Sequence, residues 1–97
     1  MIFIDEATQA PHIRINKLTD MLGVSKFCIE ACLINISRYS LGIVSINQQV
    51  FEELVDNHEH IFNPILVKDI MKAFQKAAYE HAILGVYLDQ IPLKVEN

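Results

Sequence analysis

Apolar residues recur at helical spacing in four segments of the chain. The third is the clearest, and its apolar side consists of Ile46, Val50, Phe51, Leu54 and Val55. Ser45 followed by Gln48 predicts a capping box at its start. In the last segment, Asn63 and then Pro64 predict the start of the longest helix, which we expect to end at about Leu84.

The first two helical segments are short and lie next to each other. Asn16 predicts the N-cap of the first, and Gly23 predicts its end because glycine tolerates a left-handed conformation. Ser25 predicts the cap of the second, which we expect over about Lys26 to Ser37. Because this second segment is apolar nearly all round, we expect it to be buried nearly all round.

The N-terminal residues show no helical spacing. Met1 to Ile4 is a short apolar run that favours a strand, and His12 to Ile15 alternates polar and apolar residues as a strand or an extended arm does. The expected fold class is therefore all-α, or nearly so. We expect a single helical domain over residues 1–97, with about four helices behind a short N-terminal extended arm.

Composition limits the classes of protein that fit. The chain has 97 residues, of which 52% are hydrophobic, and this apolar fraction indicates surface that meets a partner or a second copy. A formal charge of −4 removes the signal of a strongly basic nucleic-acid-binding domain, although a local basic face can still act. The chain lacks an apolar stretch of membrane-spanning length and an export signal, so we expect a cytoplasmic protein with no membrane partner.

The segment 15–37 has the spacing of a helix-turn-helix. Such a motif needs a turn-permissive residue between two helices and apolar residues where they pack across the corner. The run Leu22-Gly23-Val24-Ser25, followed by Ile29 and Leu33, resembles the helix-turn-helix of lac-repressor-type and phage-repressor-type regulators. The resemblance extends over residues 15–55.

The resemblance implies a small DNA-binding transcriptional regulator of bacterial, phage or plasmid type. In such regulators the start of the second helix enters the DNA groove, and flanking basic residues hold phosphates. It implies that Ser25 and Lys26 enter the groove. It further implies that Arg14, Lys17 and Arg38 contact the phosphates.

The outer positions of the second helix depart from this family pattern. Where the regulators carry polar or basic side chains, this chain has Phe27, Cys28, Ala31 and Ile34. The departure favours an alternative, a helical protein–protein interaction module of adaptor, inhibitor or immunity type that does not bind DNA. The two hypotheses differ in one observable, because burial of Phe27 and Ala31 under the last helix would exclude entry into a DNA groove.

The length of the last helix predicts a homodimer interface. About 20 residues at 1.5 Å each give a helix of roughly 30 Å, a natural surface for a second copy. The expected interface combines the apolar side of the second helix with a set of residues on the last one, namely Leu66, Ile70, Met71, Phe74 and Ala77.

Residues that could carry metal or catalytic chemistry are few. Cys28 and Cys32 are best interpreted as buried small hydrophobes, and His58 and His60 as part of a polar loop between helices. We expect no metal and no cofactor. We assign no catalytic residues and expect the protein not to be an enzyme, because no phosphate-binding loop or activated nucleophile is present in the sequence.

Overall fold

The computed structural model of the protein describes residues 2–36 and 43–90, the last seven of these by backbone alone. The described elements, in chain order, are β1 (Ile2–Asp5), β2 (Ala10–Arg14), α1 (Ile15–Leu22), α2 (Lys26–Leu33), β3 (Ser45–Asn47), α3 (Gln48–Asn57) and α4 (Pro64–Gln90). The three strands form one antiparallel sheet in the order β1-β2-β3.

The expected all-α fold class is wrong, because the four described helices are joined by this three-stranded sheet in an α/β arrangement. The segment expected to be an extended arm is β2, the central strand. The residues expected to begin the third helix, Ser45 and Ile46, form β3 instead. Helical spacing is a local property, and it does not report the pairing of strands that lie more than 30 residues apart.

One row of isoleucines crosses the sheet and joins it to the core. Ile13 pairs with Ile2 on one side and with Ile46 on the other, and it is fully buried. The helix α4 packs against β1 and β2. Burying each large aliphatic side chain contributes about 1.5–3 kcal/mol, so this row stabilises three short strands that would not persist alone.

Asp5 organises the turn between β1 and β2. Its carboxylate accepts hydrogen bonds from the Thr8 amide and the Thr8 hydroxyl, each at 3.1 Å, and its carbonyl accepts one from the Gln9 amide at 2.7 Å. Gln9 lies in the left-handed region with φ of 55°. The hairpin is therefore closed by local polar contacts as well as by strand pairing.

The strand β3 covers only part of β2. It pairs with residues His12, Ile13 and Arg14, whereas Pro11 pairs with Ile4 of β1 and lies beyond the end of β3. Proline has no backbone N–H and is found in sheets where one side lacks a neighbouring strand. Within the described residues, no strand therefore pairs with β2 on its β3 side at Pro11.

The sheet continues directly into the first helix. Arg14 is the last residue of β2 and the N-cap of α1, with no side-chain capping bond. The helix begins two residues earlier than an Asn16 cap would allow, and the Ile15 amide at its start donates to the Val44 carbonyl at 2.8 Å. A long-range backbone bond replaces the side-chain cap that the sequence predicts.

The helices α3 and α4 both begin at asparagine caps. The Asn47 side chain accepts from the Val50 amide at 2.9 Å, and the Asn63 side chain accepts from the Ile65 amide at 2.8 Å. The cap of α3 is therefore Asn47, two residues after Ser45, which the sequence predicts as the cap. At 27 residues, α4 is about 40 Å long, six residues longer than its spacing predicts.

Candidate nucleic-acid interface

A short turn of residues 23–25 sets α2 against α1. Gly23 has a φ of 69°, and its amide donates to the Thr19 carbonyl at 2.9 Å, which closes α1 in a left-handed cap. The Ser25 hydroxyl accepts from the Cys28 amide at 3.0 Å and so caps α2. The chain therefore changes direction over residues 23–25, and Ser25 and Lys26 at the start of α2 are exposed.

Apolar side chains inside this corner hold the two helices together. Leu18 and Ile29 are fully buried, and Leu22 is nearly so. Cys32 and Leu33 continue the buried side of α2 into the core. The helix pair is therefore packed on its inner side as a helix-turn-helix requires.

The outer side of α2 is open, which corrects the expectation that this helix is buried nearly all round. Phe27 is 79% exposed and Ile34 is 64% exposed, while Ala31 is also exposed. These three residues lie on one face of the helix at spacings of three, four and seven residues. The condition that would exclude groove entry, burial of Phe27 and Ala31 under α4, is not met.

Four of the five residues assigned to DNA contact are exposed at helix starts. Arg14 and Lys17 lie at the start of α1, and Ser25 and Lys26 lie at the start of α2. The Arg14 guanidinium lies 4.8 Å from the centre of the Phe3 ring, a cation–π contact that restricts where this cation points. The fifth residue, Arg38, lies outside the described residues.

Charge is distributed unevenly along the chain. Residues 14–38 contain four basic and two acidic residues, whereas residues 45–63 contain four acidic and no basic residues. The net charge of −4 therefore conceals a mildly basic segment over residues 14–38 and an acidic one over residues 45–63. In the described part of this segment, residues 14–36, three basic and two acidic residues leave a net charge of +1.

The residues assigned to a dimer interface lie mostly inward. Ile70 and Phe74 are fully buried in the core of this same chain, so they have no surface left to offer a second copy. Leu66, Met71 and Ala77 are half-buried. Ile70 and Phe74 face the core, where α4 packs against the sheet and α3. The homodimer interface stays a prediction.

A groove between α3 and α4 was not anticipated from the sequence. It contains two open cavities of about 320 Å³ and 200 Å³, which share Val55 and Val67 as lining residues. Three carboxylates line these cavities, from Glu52, Asp56 and Glu59. The sequence does show that one side of α3 is acidic. It does not show that α4 lies beside this side and forms the second wall of a groove.

The cysteines and histidines form no metal site in the described part of the chain, where no cluster of three or more such ligands occurs. Burial, the neighbouring Cys28 and a hydrogen bond with it all raise the pKa of the Cys32 thiol. The Nε2 atom of His58 is buried and has no hydrogen-bond partner among the residues that the structure describes. Neither thiol is in a disulfide.

Within residues 2–36 and 43–90, the helices are too short or too polar to cross a membrane. No protein-family model, curated protein or solved structure matches this chain.

Proposed function

We propose that this protein is a small DNA-binding regulator in which the start of α2 enters the major groove. The observation that carries the proposal is the open outer side of α2, with Lys26 and Phe27 exposed beside a turn that projects the helix start. An α-helix fits the major groove of B-DNA when its outer side is uncovered.

The polar groups at the two helix starts suit phosphate contacts. Because the Ser25 oxygen accepts its capping bond, its hydroxyl proton remains available to a phosphate oxygen. Lys17 and Lys26 are exposed in the first turns of α1 and α2, where helix N-termini also attract anions. These contacts would supply the sequence-independent part of the affinity.

The apolar outer face of α2 would limit how the bases are recognised. Phe27 and Ala31 are side-chain types that contact the methyl group of thymine in the major groove. Direct hydrogen bonds to base edges would come from Lys26 alone among the outward residues of the first turn. The proposal therefore specifies DNA whose contacted groove contains thymines.

The same apolar face supports a second candidate function. Phe27 lies four residues before Ala31 and Ile34 lies three residues after it, and both expose large apolar side chains. A helix-mediated protein–protein interface requires apolar residues at this spacing. In this alternative α2 packs against another protein and the protein does not bind DNA.

A salt-dependent titration separates the two candidates. Fluorescence anisotropy of a labelled 24-base-pair duplex would be measured at 50 and 200 mM salt for the parent protein and for Lys17→Ala/Lys26→Ala. The slope of log affinity against log salt is negative, and each lost phosphate contact reduces its magnitude by about 0.9. The double variant is therefore expected to show a slope that is shallower by nearly two.

Lys72→Ala/Lys76→Ala is the matched control, because it removes the same charge from exposed positions on α4. It is expected to leave the slope within a few tenths of the parent value. Absence of binding at 50 mM salt would overturn the proposal and leave the protein-interaction candidate. Equal losses in both double variants would overturn the assignment of the contact to α1 and α2.

A further inference from the structure

The groove between α3 and α4 has an apolar floor that its own chain leaves incompletely covered. Val55, Val67 and Met71 line it and are half-buried, and Phe62 lies beneath its second cavity. The two cavities measure about 320 Å³ and 200 Å³. A cavity of about 150 Å³ accommodates benzene, so each is large enough for one apolar side chain.

The two cavities follow one another along the helices. The first lies between Glu52–Asp56 of α3 and Val67–Met71 of α4, and the second lies between Val55–Glu59 and Pro64–Lys68. The two helices therefore run in opposite directions along the groove, and the cavities are about one helical turn apart. Side chains three or four residues apart on a third helix have this separation.

The walls of the groove carry an excess of negative charge. Glu52, Asp56 and Glu59 are exposed on the side of α3 and the turn after it, and one lysine, Lys68, lies on the side of α4. One carboxylate oxygen of Glu52 accepts from the Gln48 amide group at 3.4 Å, and this neutral partner does not offset the carboxylate charge. An occupant that buries its apolar side here would place its flanking residues against these carboxylates.

We propose that this groove binds a basic amphipathic helix of a partner protein. Two apolar residues of that helix, three or four positions apart, would fill the two cavities, and flanking lysines or arginines would face Glu52, Asp56 and Glu59. Charge complementarity of this kind sets partner choice and association rate. The site is separate from the outer face of α2, so the inference does not rest on DNA binding.

A designed peptide tests the groove directly. The probe is a fluorescein-labelled, amidated 16-residue helix of alanine and lysine with two leucines four positions apart. Its anisotropy would be titrated with the parent protein and with Glu52→Lys/Asp56→Lys, whose replaced side chains are both exposed. The double variant is expected to bind at least tenfold more weakly, with an unchanged circular dichroism spectrum.

Two matched controls separate the groove from general charge attraction. Glu6→Lys/Glu80→Lys makes the same change in net charge at exposed positions away from the groove and is expected to bind within twofold of the parent. A peptide with both leucines replaced by alanine is expected to lose binding. Equal weakening in the two protein variants, undiminished binding of the alanine peptide, or no binding of the leucine peptide would each overturn the proposal.

A second copy of the chain is the competing occupant. Sedimentation equilibrium of the parent protein, without peptide or DNA, is expected to show no association that depends on the groove. A dimer that dissociates in Glu52→Lys/Asp56→Lys would assign the groove to self-association and overturn the proposal of a basic partner. Because these measurements contain no DNA, their failure is distinguishable from failure of the proposed function.

Discussion

The aromatic rings of Phe51 and Phe74 lie 5.8 Å apart, centre to centre, and are tilted by 39°. The contact joins α3 to α4 at a point where both side chains are fully buried. Tilted aromatic pairs at this distance add about 0.5–1.5 kcal/mol beyond the burial of their surfaces. This pair holds together the two helices that form the acidic groove.

Phe51→Ala is expected to destabilise the protein by about 3–5 kcal/mol, because it removes a buried ring and leaves a cavity. Urea denaturation followed by circular dichroism measures the change. Phe27→Ala is the control, since its ring is exposed and its loss is expected to change stability by no more than about 0.5 kcal/mol. A large loss of stability in the control would contradict the open outer side of α2.

Ser25 is expected to have two separable roles, one in folding and one in binding. Ser25→Ala removes the cap of α2 and is expected to cost about 1 kcal/mol of stability. Ser25→Asp keeps a capping oxygen, so its stability is expected to remain near that of the parent. Its added charge at the start of α2 is expected to repel phosphate and weaken DNA binding.

Asn47→Asp is the matched control for this charge. It also replaces one capping side chain by another, at the start of α3 rather than α2. DNA affinity measured by anisotropy is expected to fall markedly more in Ser25→Asp than in Asn47→Asp. Equal affinities in the two variants would argue against entry of α2 into the groove.

Gly23→Ala is expected to destabilise the protein by about 1–2 kcal/mol, because a side chain at φ of 69° strains the backbone. A Cβ atom there would meet nothing within 4 Å, so the loss comes from conformation alone. Gly23→Asn is expected to lose less, since asparagine tolerates the left-handed region better than alanine. Thermal unfolding of the two variants would test this order, and a larger loss for asparagine would contradict it.

Cys32 is expected to make stability depend on pH in the alkaline range. Burial, followed by the neighbouring Cys28, raises the pKa of the Cys32 thiol in the folded state. A raised folded pKa means that the contribution is fully present below the ordinary thiol pKa of about 8.5 and is lost as pH rises through the folded value. The loss of stability in Cys32→Ala relative to the parent is therefore expected to shrink between pH 7 and pH 10.

Urea midpoints of the parent and of Cys32→Ala at several pH values check this. Comparing the two proteins cancels the titration of other groups. A difference that stays constant across this range would contradict burial of an ionisable thiol at this position.

Features with local causes were predictable from the sequence. The start of α4 at Pro64 follows from an asparagine cap next to a proline, and the turn at Gly23 follows from the glycine itself. Both depend on residues within one helical turn. The inner side of the corner, with Leu18 and Ile29, was predictable for the same reason.

Features that depend on distant residues were not predictable. The strand β3 has three residues, and its partner in β2 lies more than 30 positions earlier, so no local pattern indicates it. Which side of α2 is buried is decided by where α1 and the core residues of other elements pack against it. The same holds for Ile70 and Phe74, whose spacing suggested a second copy but which are buried in the core of their own chain, Phe74 against Phe51 of α3.

The position of Pro11 has a consequence for self-association. Among the described strands, none pairs with β2 beyond the end of β3, so this position, like the outer edges of β1 and β3, is one where a strand from another molecule could extend the sheet. Proline there cannot donate a hydrogen bond to an added strand. Pro11 is therefore expected to disfavour strand addition at this position, and Pro11→Val would be the change that removes this protection.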